Sequence, residues 1–96
     1  MPGMTGEEAL KTAAELISID RQATYGKAVT DFSATAKLVT VVLNRKGLLK
    51  EGAELDAHCI ALIMVCVKLS REANLHKEDN CIDGAGYFAL AMDVVK

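Results

Sequence analysis

The sequence predicts an all-α fold, a four-helix bundle-like single domain spanning residues 1–96, and three observations carry that prediction. Apolar residues recur at three- and four-residue spacing in four separate segments, which is the spacing of one helix face. Hydrophobic residues make up 51% of the chain but aromatic residues only 4%, so the core vocabulary is Ala, Val, Leu, Ile and Met, the usual residues of helix packing. No segment alternates apolar and polar residues as a half-buried strand does.

The first helix is expected over residues 5–19. Thr5 stands three positions before Glu8, a capping-box arrangement in which each side chain satisfies the other's orphan amide. Leu10, Ala13, Ala14, Leu16 and Ile17 form its apolar face, and Lys11 and Glu15 are expected to pair on the solvated one. Gly26 breaks the pattern, so "DRQATYG", residues 20–26, reads as a polar turn. The second helix restarts at Val29 and continues through Phe32, Ala36, Val39 and Leu43. It stops at Asn44-Arg45-Lys46-Gly47, where glycine can take the left-handed position.

After the short connection "LLKEGAE", the third helix runs from about Glu54 to Asn74. Residues 57–67 are apolar almost all the way round, His58 excepted, which places this helix at the centre of the bundle or in an oligomer seam. "NLHKEDN" forms a loop. The fourth helix then begins with Asn80 or Asp79 as its cap and runs through Tyr87, Phe88, Leu90, Ala91 and Val94.

A chain of 96 residues buries only about 60 to 65% of the surface it exposes when unfolded. Its apolar content exceeds what so small a core hides, and a homo-oligomer is expected. Eleven basic and thirteen acidic residues are interspersed, giving a net charge of -2, so no basic stripe offers itself to a nucleic-acid duplex. The longest apolar run, "CIALIMVCV", is far shorter than the roughly 20 residues of a membrane span, so no membrane partner is expected. Cys59, Cys66 and Cys81 include no CxxC pair and read as buried, reduced thiols of a cytoplasmic protein.

Three stretches can carry chemistry. In the first, Arg21 offers a planar fork for phosphate or carboxylate and Tyr25 a flat platform for a base, while Asp20 serves as well to shape the turn. In "KLSRE", Lys68 and Arg71 project from one face of the third helix; they suit its negative end, and Lys68, leaving a buried stretch, calls for an anion. Asp83 is the expected partner, because the fourth helix must return alongside the third. In "EDNCIDGAGYFAL", Asp79, Asn80 and Asp83 surround the start of the fourth helix, and Gly84 and Gly86 remove side chains on the next turn, allowing close approach by a helix or a ligand. "GAGYFA" matches GxGxxA formally, but no strand precedes it. His58 reads as a core-edge histidine and His76 as a ligand contact in the polar loop. Neither stands at metal-motif spacing, and no serine lies in a nucleophile elbow, so no catalytic residue is assigned.

Together, "DRQATYG", "KLSRE" and "EDNCIDGAGYFAL" resemble a family of short phage and prophage proteins with an Asp-Arg-x-x-x-Tyr-Gly element near the start and Asp-x-x-Gly-Tyr near the end. The layout is also distantly similar to the all-helical MazG-like nucleotide pyrophosphohydrolases, whose bundles hold magnesium with an ExxE pair and a later ExxD. Here Glu51 and Glu54 form an ExxE, but at a glycine-containing helix start, and no ExxD occurs. The resemblance implies a viral context in an infected bacterial host. The expected function is binding of a nucleotide-like small molecule, with sequestration of a host defence signal, by analogy with small phage proteins of other folds. The expected site comprises Arg21, Tyr25, Lys68, Arg71, His76, Asn80, Asp83 and Tyr87. No cofactor is expected, Mg2+ entering only under the alternative of a MazG-like hydrolase. A protein-interaction module without a small ligand is the third reading.

Overall fold

The computed structural model describes residues 3–18 and 21–95, with residues 21–26 and 28 described by their backbone alone. Four helices and no strand occur among them: α1 (Gly6–Ser18), α2 (Arg21–Arg45), α3 (Ala57–Asn74) and α4 (Glu78–Asp93). The fold is all-α, a small bundle in which α3 and α4 make the most extensive interface. α1 lies on α4, and α2 lies on α3.

Local chemistry explains most of the boundaries. α1 starts on the expected capping box: Glu8 N–H donates to Thr5 Oγ1 at 3.1 Å, and Glu8 Oε1 accepts Thr5 N–H at 3.1 Å. Lys11 pairs with Glu7 at 3.3 Å rather than with Glu15. A glutamate one turn before a lysine is the better-oriented pair in a helix dipole. α2 ends where expected, in a Schellman motif: Leu48 N–H reaches Leu43 O at 2.9 Å, Gly47 N–H reaches Asn44 O at 3.0 Å, and Gly47 has φ 70. Asp56 caps α3 by accepting Cys59 N–H at 2.9 Å, which sets the start at Ala57 instead of Glu54. Buried Thr40 fixes the preceding connection, donating to Ala36 O at 2.7 Å while accepting Leu55 N–H at 2.9 Å.

Three expectations are corrected. "DRQATYG" is not a turn between helices, because from Arg21 onward it forms the opening turns of α2 and the helix passes straight through Gly26. An interior glycine costs only about 1 kcal/mol relative to alanine, too little to end a 25-residue helix that is propagating on both sides. Asp20 lies outside the described residues. Neither Asp79 nor Asn80 caps α4: the helix begins at Glu78, with Lys77 in the cap position and no side-chain cap bond. Finally, the cysteines are reduced but not all buried, since Cys66 and Cys81 are exposed.

That last result follows from the shape. The molecule measures 52 × 33 × 15 Å, and its radius of gyration of 15.2 Å exceeds the roughly 13 Å usual for this length. The core is correspondingly slight: Ala57, Ala61, Ala91 and Val94 cluster with Val29 and Phe32 packed against them. Among the described residues no large side chain is fully buried. α3 is therefore not enclosed within one chain. Ile60 and Ala61 face inward, whereas Leu62, Ile63 and Leu69 face out, as do Leu38, Val41 and Val42 on α2 and Phe88 and Met92 on α4.

Candidate functional site

The α3–α4 hairpin builds a polar surface rich in charged side chains. α3 ends on Leu75, whose N–H returns to Arg71 O, and only Leu75, His76 and Lys77 separate it from α4. So tight a return places the last turns of α3 beside the first turns of α4. Lys68 and Asp83 consequently meet, Nζ to Oδ2 at 3.1 Å, the pairing expected from the sequence. Lys68 is the more buried partner, its side chain 15% exposed against 41% for Asp83, so the ammonium rises along the helix interface and ends at a carboxylate open to solvent.

Around this pair lies an open hollow of about 430 Å³ whose wall includes Lys68, Arg71, Lys77, Asp79, Asn80 and Asp83. A second, smaller recess of about 190 Å³ shares Asp83 with it and is mostly apolar, lined by Leu16 and Ile17 of α1 and by Ile82, Gly86, Tyr87 and Leu90 of α4. The Tyr87 ring is steadied by Phe32 of α2, with centroids 6.3 Å apart. A charged basin and an aromatic-edged slot thus adjoin at one carboxylate.

Of the glycines that make α4 unusual, Gly86 faces the recess and Gly84 an apolar groove between α3 and α4. A methyl added at Gly84 stands 3.6 Å from Lys68 Cβ, and one at Gly86 stands 3.8 Å from Ile17 Cγ2. Both are ordinary contact distances. Neither glycine is required by the packing of one chain.

Asn80 is buried and spends its amide on tertiary contacts instead of capping: Nδ2 donates to Glu72 Oε1 at 3.3 Å and approaches Leu75 O at 3.5 Å. Glu72 Oε1 also accepts Lys77 N–H at 2.9 Å, while its Oε2 forms an ion pair with His76 Nδ1 and lies 3.6 Å from Cys81 Sγ. The bond to His76, followed by that from Lys77 N–H, pulls the Glu72 carboxyl down to about 2. His76 is raised in turn by its hydrogen bond to Glu72, and Cys81 is raised by desolvation and then by the nearby carboxylate.

Of the expected site residues, Lys68, Arg71, Asn80 and Asp83 share the hollow, and Tyr87 lines the adjoining recess. His76 is engaged with Glu72, one helical turn earlier, and is not part of the hollow's wall. The side chains of Arg21 and Tyr25 lie outside the described residues. Sequence reasoning overlooked Lys77 and Glu72. The spacing of Glu72 and His76, one helical turn apart, was the available signal for the latter.

A family model described as a domain of unknown function, DUF6378, matches residues 8–95. The chain belongs to this family. No curated protein and no solved structure matches it. The DUF6378 match takes in all of α2, α3 and α4 and most of α1, so both the hollow and the recess fall within it. Among the described residues no helix is long and apolar enough to cross a membrane.

Proposed function

We propose that this DUF6378 protein is a phage-encoded binding protein that sequesters a nucleotide-like small molecule in the cytoplasm of an infected bacterial host, without turning it over. The observation that carries the reading is the union, at Asp83, of a hollow bearing Lys68, Arg71 and Lys77 with a recess edged by Tyr87. Nucleotides pair a polyanionic end with a flat, weakly polar one, and the two spaces match that division. The Arg71 fork and the two ammonium groups take phosphate, Tyr87 underlies a base, and Asp83 with Asn80 serves ribose or base donors. Arg21 and Tyr25 are assigned to the same ligand from the sequence alone, their side chains lying outside the described residues.

A second copy of the chain completes the particle in this reading. The apolar groove between α3 and α4, lined by Val65, Leu69, Ala85 and Phe88, and the stripe of Leu38, Val41 and Val42 on α2 are too extensive for an isolated small domain to leave in water. The complementary surface most readily available to such stripes is the same stripes on another protomer.

The hydrolytic alternative fits the residues less well. Glu51 lies in the turn around Gly52 and Glu54 in the irregular segment before α3. α3 has 18 residues, about 27 Å of helix, so the ExxE pair stands at the opposite end from the hollow. Only Asp79 and Asp83 of the hollow's wall carry carboxylates, among the cations Lys68, Arg71 and Lys77. This carboxylate set does not suit two-metal chemistry.

Titration calorimetry and native mass spectrometry against a panel of linear and cyclic nucleotides test the proposal. At least one nucleotide should bind, Arg71→Glu should weaken it more than tenfold, and heating the complex should release it chemically intact. A panel without a binder, or binding indifferent to Arg71→Glu, overturns the assignment. Magnesium-dependent release of phosphate or pyrophosphate would move the protein to the hydrolases.

A further inference from the structure

Beside the hollow, the α3–α4 hairpin gathers three side chains of different donor type. Glu72 comes from α3, His76 from the connection and Cys81 from α4, and their ligand atoms all lie within 4.8 Å of one another. Oxygen, nitrogen and sulfur donors in one cluster are a selective combination. Mg2+ and Ca2+ prefer oxygen alone, whereas Zn2+ accepts all three in a tetrahedral arrangement.

The Cys81–Glu72 spacing suits that ion, and His76 and Glu72, hydrogen-bonded to each other in its absence, must part to admit it. Zinc bonds of about 2.3 Å to sulfur and about 2.0 to 2.2 Å to nitrogen or oxygen give tetrahedral edges of roughly 3.3 to 3.6 Å. Cys81 Sγ stands 3.6 Å from Glu72 Oε2. The carboxylate is also held from behind, as metal ligands commonly are: its other oxygen accepts Lys77 N–H at 2.9 Å and Asn80 Nδ2 at 3.3 Å. With Oε1 so occupied, Oε2 is the oxygen presented to His76 and Cys81. On the single chain both of those residues are exposed, Cys81 within the α3–α4 groove, leaving an entry path and a fourth position for water.

We infer that Glu72, His76 and Cys81 form a surface site for a zinc-class divalent cation, one that ties the end of α3 to the start of α4 through the intervening loop. None of its three ligands is a group assigned to the nucleotide, and they belong to three consecutive segments of one chain; Lys77 and Asn80, which steady Glu72, also border the hollow.

Cobalt(II) reports this directly, because a thiolate ligand gives it a charge-transfer band that carboxylates and imidazoles do not. Titrating the reduced protein with Co2+, and then displacing it with Zn2+, should reveal one equivalent bound with that band. His76→Ala and Cys81→Ser, both at exposed positions, should each weaken binding at least tenfold, and Cys81→Ser should abolish the band; Cys66→Ser should change neither. Absence of the band in the wild-type protein, or its survival in Cys81→Ser, overturns the site. Unchanged affinity in His76→Ala does the same.

Discussion

Gly84 and Gly86 illustrate how a residue can be conformationally expensive and sterically unnecessary at once. Each sits inside α4, where alanine is favoured by about 1 kcal/mol, and each has room for a methyl group at ordinary contact distance. Gly86→Ala should therefore raise the free energy of unfolding by roughly 0.5 to 1 kcal/mol in urea titrations. The same methyl protrudes into the recess beside Tyr87, so the variant should also lose nucleotide affinity if the base occupies that space. A more stable protein with unaltered binding would put the base elsewhere. Lys68 and Asp83 make the complementary case: their meeting could be read from the sequence because a short loop forces two helices side by side, and the ion pair is where that constraint places it.

Among the elements, α1 carries a pH dependence that its first turn explains. The Thr5 backbone N–H, and then the Thr5 hydroxyl, hold the Glu8 carboxyl below its ordinary value of 4.5 by bonding its ionised form. A carboxyl depressed on folding stabilises the folded state above that ordinary value and loses the contribution as pH falls through the lower, folded one. Glu8→Gln should thus be less stable than wild type in thermal melts at pH 7, and the gap should narrow towards pH 3. Capping boxes and Schellman stops are legible in a sequence because both partners lie within a few residues of each other. The end of α2 at Gly47 and the start of α1 at Thr5 were readable for that reason. The beginnings of α2 and α4 were not. Gly26 exacts a local penalty that a long helix absorbs, and Asn80 chose a distant carboxylate over its neighbouring amides, a choice that no local spacing encodes. The Glu72, His76 and Cys81 cluster was hidden likewise, since Cys81 joins the other two only after the chain has turned.

For the molecule as a whole, the apolar surface is the dominant fact. Leu38 is 68% exposed, Leu69 66%, Phe88 63% and Met92 79%, and these are the surfaces that the proposed self-association would cover. Light scattering coupled to gel filtration should return a multiple of 10.3 kDa, and Leu69→Glu combined with Phe88→Glu should shift the particle to the single-chain mass while helical circular dichroism persists. A wild-type monomer at micromolar concentration would refute self-association. An all-helical chain with few aromatic residues was plain from composition and periodicity, but which side of α3 stays uncovered depends on how four rods are laid together, and periodicity is silent on that. The 15 Å depth has one more consequence. In a body so shallow, distance from solvent scarcely distinguishes one amide from another, so deuterium uptake in a lone chain would follow fraying at helix ends; any broad band of slow exchange across the middle of α3 would trace the footprint of a neighbour.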